Sequence, residues 1–281
     1  MRPWGAMRSF LPSSSIEERD FLRENLGAIP AFRALLRGVE CRLYAGADLR
    51  EPVLDLGCGD GHFSSVAFGK PLTVGTDSGV GILGEAARSG SYHLVLAADA
   101  TALPFRDSSF ATLISNCVLE HIPEVDAALK EAARVLEEGG KLLFTVPSEY
   151  FGPYLLGSTI FRALRMGRLA RRYARWFDVI SRHHHCDPPE VWQGRVRAAG
   201  LGVTGWRYYF SPAASRAFDL AHYLSLPALF TRKFTGRWVL WPRGPGPWLA
   251  ERWLRAYYAE PWPREGAYIF FACQKVGKEQ V

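Results

Sequence analysis

No stretch of the 281-residue chain is apolar for the roughly 20 residues that a membrane-crossing helix needs. Its first fifteen residues contain Arg2 and Arg8 but lack the continuous apolar core of a signal peptide. Five cysteines, Cys41, Cys58, Cys117, Cys186 and Cys273, are scattered without a Cys-x-x-Cys pair. That pattern indicates no disulfide framework and leads to the expectation of a reducing, cytoplasmic location. No internal repeat is present. Acidic residues are scarce after residue 150, where 20 Lys and Arg face 8 Asp and Glu, and tryptophan is scarce before it, where Trp4 is the only one of nine. An acidic first half of net −6 is thus joined to a basic, aromatic second half of net +12. The length and a hydrophobic content of 48% fit one α/β core with additions rather than two independent domains.

The most informative residues are Pro52-Val53-Leu54-Asp55-Leu56-Gly57-Cys58-Gly59-Asp60-Gly61-His62-Phe63. A short apolar strand runs into three glycines spaced two apart, which allow positive φ and let the backbone approach a ligand before the next helix begins. In the dinucleotide fingerprint the last glycine stands three residues after the second, and the loop must accept a pyrophosphate. Here the spacing is shorter, and Asp55 would repel phosphates while attracting an ammonium or sulfonium. The loop therefore favours a cationic nucleotide-type ligand over a dinucleotide. A glycine turn that only reverses the chain is the alternative.

Leu72-Thr73-Val74-Gly75-Thr76-Asp77 reads as a second strand ending in an acid, with a helix from Val80. Asp77 at that strand end is placed to accept both hydrogen bonds of a ribose diol. A third strand, Tyr92 to Ala98, leads to Asp99-Ala100, where Asp99 could accept from an adenine amino group. Each acid alone also fits a strand-end turn former; three at successive strand ends argue for a site. Phe110 to Asn116 reads as a fourth strand, Glu124 to Leu136 as a helix ended by Gly139-Gly140, and Lys141 to Val146 as a fifth strand.

Together, Asp99-Ala-Thr-Ala-Leu103-Pro104-Phe105-Arg-Asp107-Ser-Ser109-Phe110, Leu119-Glu120-His121-Ile122-Pro123 and Arg134-Val-Leu-Glu-Glu-Gly139-Gly140 resemble class I S-adenosylmethionine-dependent methyltransferases of the broad small-molecule group. The resemblance covers residues 51 to 148. It implies a doubly wound, Rossmann-like, mostly parallel seven-stranded sheet with an antiparallel last strand, and S-adenosylmethionine as cofactor. By the same resemblance Gly57, Gly59 and Gly61 line the methionine part, Asp55 meets its amino group directly or through water, and Cys58 occupies a variable loop position. Asp77 would hold the ribose and Asp99 and Ala100 the adenine, while Asn116 would lie under the cofactor near the methyl group. His121 is the candidate base for an oxygen acceptor, with a packing histidine as its alternative. His62 could touch the methionine carboxylate or be a solvated loop histidine.

Six segments are expected: an N-terminal helical cap over 1–50, whose first helix opens at a capping box in Ser15-Ile16-Glu17-Glu18 and whose second follows Pro30; the cofactor core over 51–148; a basic helical insertion over 149–187; a core helix and strand over 188–210; a helical lid insertion over 211–265; and a final strand over 266–281. Within the basic insertion, 161–177 reads as one amphipathic helix that gathers Arg165, Arg168, Arg171, Arg172 and Arg175 on one arc. That face suits either solvent or anionic lipid headgroups, the latter as a peripheral membrane contact. His183-His184-His185 are adjacent and point in different directions, so no metal is expected there. No recognised nucleic-acid module is present, and the end of the fourth strand, Asn116-Cys117-Val118-Leu119, lacks the Asp-Pro-Pro-Tyr motif of amino-group methyltransferases on nucleic acids. The expected function is methyl transfer to an oxygen or carbon of a small-molecule or lipid-like acceptor. The alternatives are an RNA-modifying enzyme and a non-catalytic S-adenosylmethionine-binding protein.

Overall fold

The computed structural model describes residues 19–277. Its frame is a seven-stranded sheet in the order β3-β2-β1-β4-β5-β7-β6. The strands are β1 Val53–Leu56, β2 Leu72–Asp77, β3 Tyr92–Ala97, β4 Phe110–Asn116, β5 Leu136–Pro147, β6 Leu201–Tyr209 and β7 Tyr268–Lys275. β7 lies antiparallel between β5 and β6, and the other six strands run parallel. The central strands β1 and β4 are buried at every position. Strands covered on both faces read as continuous apolar runs for this reason.

Alternate residues along the strands enter opposite cores. Leu54, Leu113, Phe144 and Phe271 pack with one set of helices, α5 Val125–Val135 and α9 Pro189–Ala198, whose Leu129 and Trp192 are buried among them. Val53, Ile114, Leu143 and Phe270 face the other set, formed by α1 Phe21–Leu26, α2 Ala31–Tyr44, α10 Pro212–Leu224 and α12 Pro245–Tyr258. Two short helices, α3 His62–Ala67 and α4 Val80–Arg88, follow β1 and β2. α6 Phe151–Tyr154, α7 Leu156–Ala163 and α8 Gly167–Ser181 connect β5 to α9, and α11 Pro227–Thr235 lies between α10 and α12.

Three local expectations change. The Ser15–Glu18 capping box lies outside the described residues; α1 begins at Phe21, and the Asp20 side chain caps it by accepting from the Arg23 N–H at 3.2 Å. The Gly139-Gly140 pair does not end a helix. α5 stops at Val135, Leu136 is already extended, and both glycines lie inside β5, with Gly139 at φ +71°. The stretch 161–177 is not one helix: Arg165 sits in the left-handed region at φ +59° and separates α7 from α8. Such a residue cannot propagate a right-handed helix, which takes Arg165 out of the register. α8 keeps the amphipathic character, with Arg168, Arg171, Arg172 and Arg175 exposed and Ala170 and Phe177 buried.

Candidate active site

The glycine loop sits where β1 gives way to α3. Gly57, Gly59 and Gly61 all have positive φ, at +81°, +56° and +78°. Their demands differ. A Cβ on Gly57 would stand 2.3 Å from a Val118 methyl, and one on Gly61 2.6 Å from Ser89 Oγ, so both are fixed by packing. A Cβ on Gly59 would meet nothing within 4 Å. Gly59 therefore keeps open the cavity that the loop borders, a space of about 180 Å³. Asp55, Gly57, Cys58, Gly59, His62 and Asn116 line it, together with Arg33 and Arg37 from α2, Arg232 from α11 and Trp238 just after α11.

Of the residues expected from sequence, Asp55, Gly57, Cys58, Gly59 and Asn116 thus converge on one cavity. Asp55 is buried, and its Oδ2 accepts from Ser64 Oγ and Tyr92 OH, each at 2.6 Å. Burial pushes its carboxyl up to about 6 against the pull of those two donors. Asp77 is not among the lining residues. Its Oδ2 accepts from the Gly59 N–H at 3.0 Å and its Oδ1 from the Gly79 N–H at 2.8 Å, so it ties the glycine loop to the end of β2. Each carboxylate oxygen retains a second lone pair. Asp99 lies exposed past β3 and accepts from both the N–H and Oγ1 of Thr101 at 2.8 Å, while Ala100 beside it is half-buried. Neither they nor Gly61 line the cavity. His62 is half-buried rather than solvated: its Nε2 lies 2.9 Å from Asn25 Oδ1, and burial lowers its pKa. Because Asn25 Nδ2 already donates to the Phe21 carbonyl at 2.7 Å, its Oδ1 accepts, which makes Nε2 the protonated nitrogen of His62.

Helix α2 contributes what the sequence reading missed. Glu40, fully buried, accepts from Arg37 Nη1 at 2.6 Å, Asn116 Nδ2 at 2.8 Å, Tyr209 OH at 2.9 Å and Cys117 Sγ at 3.0 Å. Asn116 also accepts from Thr145 Oγ1 at 2.8 Å, so the whole floor beneath β4 is one network. One turn earlier, the Arg33 guanidinium lines the cavity with no hydrogen bond or salt bridge among the described residues, and burial lowers its pKa. Arg37 is neutralised by Glu40 and Arg232 by Glu85 at 2.6 Å. Arg33 is the cation left to meet a ligand anion. The only signal in the sequence was the i, i+4 spacing of Arg33 and Arg37 on a helix just ahead of the loop.

His121 ends a single 3-10 turn, Leu119–His121, just after β4. Its Nδ1 lies 3.1 Å from the Arg182 carbonyl and its Nε2 3.8 Å from Glu120 Oε1. An Nδ1–H donated to that carbonyl leaves the Nε2 lone pair free, and burial lowers the pKa of the ring, which keeps it neutral. Glu120 is 1% exposed, its Oε2 has no hydrogen-bond partner, and burial raises its pKa to about 8. The backbone N–H groups of His184 and His185 donate to the Glu120 carbonyl, at 2.8 and 3.3 Å, which brings the histidine run of 183–185 against the 3-10 turn. His185 turns away to the Ile122 carbonyl at 3.1 Å, whereas His183 stacks near His121 with ring centroids 5.4 Å apart.

A glycine loop after the first of six parallel strands, an acid ending the second and an antiparallel seventh strand are similar to the core of class I S-adenosylmethionine-dependent methyltransferases. Residues 54–144 match the family model of the methyltransferase domain. A protein of Encephalitozoon cuniculi assigned as a methyltransferase is 37% identical over 140 residues, covering 47% of this chain and 64% of that protein. The sterol 4-C-methyltransferase of Caenorhabditis elegans is 33% identical over 122 residues, 38% of this chain and 35% of that one. The malonyl-[acyl-carrier protein] O-methyltransferase of Methylococcus capsulatus is 35% identical over 126 residues, 41% of this chain and 46% of that one. The chain thus spans less than two thirds of the length of each of these relatives. Among solved structures, the [4+2]-cyclase SpnF shares the fold at a TM-score of 0.53 and 20% identity, over 87% of this chain and 82% of that one.

S-adenosylmethionine is the cofactor of this class, and the cavity suits it. The space at the Gly59 Cβ position admits its backbone-hugging methionine part. Arg33 offers a partner for its carboxylate, and the acids at Asp55 and Asp60 offset its ammonium and sulfonium charges. No helix among the described residues is long and apolar enough to cross a membrane.

Proposed function

We propose that the protein transfers a methyl group from S-adenosylmethionine to an oxygen or carbon of an apolar, lipid-like small molecule. The observation that carries this reading is a second cavity of about 460 Å³, bounded by Leu26, Ile29, Leu224, Leu240, Trp241 and Trp238. Trp238 also lines the cofactor cavity, so the two spaces share a wall. Its lining is almost wholly apolar, which suits hydrocarbon and gives a charged acceptor nothing to pair with. The names of the relatives, a C-methyltransferase and an O-methyltransferase, point to carbon and oxygen as acceptor atoms.

The bound cofactor supplies an electrophilic methyl on a sulfonium, attacked in line. The residues of this chain hold and align. Arg33 would hold the carboxylate end, the Glu40 network keeps Asn116 rigid in the cavity wall, and Trp238 would help to exclude water. His121 lines neither cavity, so its neutral ring with Nε2 free serves as proton acceptor only for an oxygen acceptor that extends beyond them. The exposed arginines of α8, with Trp176 and Ile180 beside them, form a contact for anionic lipid headgroups from which an acceptor is drawn.

Incubation with methyl-labelled cofactor and fractionated cell extracts tests the reaction: label should enter the organic phase. Label confined to RNA, or none in any fraction despite cofactor binding, refutes it. For the membrane contact, flotation with vesicles containing phosphatidylserine should be lost when Arg168, Arg172 and Arg175 are changed to Glu; unchanged partitioning removes that part.

A further inference from the structure

We infer that Glu120, His121 and His183 form a binding site for one divalent transition-metal ion of the zinc or cobalt kind. The expectation of no metal rested on three adjacent histidines, but the fold draws the ligands from separate segments. One ligand atom from each of the three residues lies within 4.8 Å of the other two. A tetrahedral ion with bonds of about 2.0–2.1 Å sets its ligands roughly 3.4 Å apart. The 3.8 Å between Glu120 Oε1 and His121 Nε2 needs to close by only a few tenths of an ångström.

Three further observations point to an ion. Glu120 is 1% exposed and its Oε2 has no hydrogen-bond partner among the described residues, so beside the Oε1 that faces His121 the carboxyl has capacity for a cation in place of its proton. His121 gives its Nδ1 to the Arg182 carbonyl at 3.1 Å, the support that metal-ligating imidazoles carry on their far nitrogen. His183 is likewise braced, its Nδ1 standing 3.6 Å from both Asp178 Oδ1 and Cys186 Sγ. The side chain of His121 is 40% exposed, which leaves an entry path and an open fourth position. A carboxylate with two imidazoles suits zinc, cobalt or iron over magnesium or calcium, which prefer all-oxygen shells. With the ion bound, Nε2 of His121 is a ligand and no longer a proton acceptor, and the ion takes over the task of lowering an acceptor hydroxyl's pKa.

The metal titration itself needs no cofactor and no acceptor, so protein that binds the cofactor product but no metal fails this inference alone, and protein that binds metal but transfers no methyl fails the proposed function alone. Chelator-treated full-length protein is titrated with Co²⁺ alone, followed by visible ligand-field absorption and calorimetry, with heat of binding of S-adenosylhomocysteine as a check on folding. One Co²⁺ per chain is expected, displaced by Zn²⁺. Glu120→Gln and His121→Ala should each weaken binding on the order of 10- to 100-fold or more while homocysteine-product binding persists. His183 packs on Phe151 at 4.8 Å between ring centroids, so His183→Ala is confirmatory only when folded. Absence of Co²⁺ bands in wild-type protein that binds the cofactor product overturns the inference. So does full binding by Glu120→Gln combined with loss in Cys186→Ser, which would place the ion in the neighbouring group of Asp178, His183 and Cys186.

Discussion

The parallel core and the segment from α11 to α12 obey different physics, although α12 touches that core through Leu254. β1 and β4 bury every residue, whereas α11 buries none and α12 only Leu254. In the lid Phe230, Phe234 and Trp241 are 67%, 77% and 73% exposed. A strand in mid-sheet is held by pairing on both sides, and its side chains have one permitted environment. A lid helix is held by one face, if any. On the proposed function that difference divides labour: the core fixes the position of a cofactor, and the segment 211–265 presents apolar surface to the acceptor.

The largest effect that would sharpen the contrast is expected at Gly57. Gly57→Ala adds a Cβ 2.3 Å from Val118 at φ +81°, combining left-handed strain with overpacking. A loss of about 3 kcal/mol is expected in urea unfolding. Gly59→Ala, strained but without a clash, should cost only about 1 kcal/mol, yet it should weaken the heat of cofactor binding because Gly59 lines the cavity at a left-handed φ that alanine disfavours. Equal destabilisation by both changes would break the distinction between a packing glycine and a site glycine.

Next comes Asp55. Its folded pKa, raised by burial to about 6 from 3.8, means that the folded state holds a proton the unfolded state releases. The stability this contributes is fully present below pH 3.8 and disappears as pH rises through about 6. Asp55→Asn should therefore gain stability relative to wild type by about 2–3 kcal/mol between pH 4 and pH 7.5. Denaturant midpoints across that range measure it; a constant difference would show that the carboxyl titrates alike in both states.

Arg33→Met follows, at about 1.5–3 kcal/mol of lost charge-assisted bonding, or a 10- to 100-fold weaker cofactor. Stability should hold, since the half-buried cation removed makes no hydrogen bond or salt bridge among the described residues and burial disfavours its charge. Calorimetry that shows unchanged affinity would remove Arg33 from the carboxylate.

These residues also mark how far the sequence could be read. The glycine spacing, the strand-end acids and the alternation of strand and helix follow from backbone rules that act over a dozen residues, so Asp55, Gly57, Gly59 and Asn116 were legible as a group. Arg33 reaches the same cavity, and Glu40 the Asn116 that lines it, from a helix that precedes the core, and Trp238 arrives from nearly two hundred residues downstream; only packing brings them in. His183 was judged against its sequence neighbours, whereas its partners in space are Glu120 and His121. The break at Arg165 was hidden because periodicity cannot register a single left-handed residue.

The smallest effect on stability belongs to the lid, and there the comparison is most exposed to refutation. Phe234 is 77% exposed on a helix that buries nothing, so Phe234→Ser removes almost no folded-state contact and should change unfolding free energy by less than about 0.5 kcal/mol. A core phenylalanine such as Phe144, with no exposed surface, would lose about 3–5 kcal/mol on truncation to alanine. Thr231, on the same helix, borders the apolar cavity, and an exposed aromatic on that helix is explained if its partner is an acceptor or a lipid surface. Phe234→Ser should then weaken vesicle flotation or raise the apparent KM for an organic-phase acceptor several-fold while leaving cofactor affinity untouched. A several-kcal/mol loss of stability with no change in either would mean that the lid is part of the folded core after all, and the division of labour between the two regions would fall.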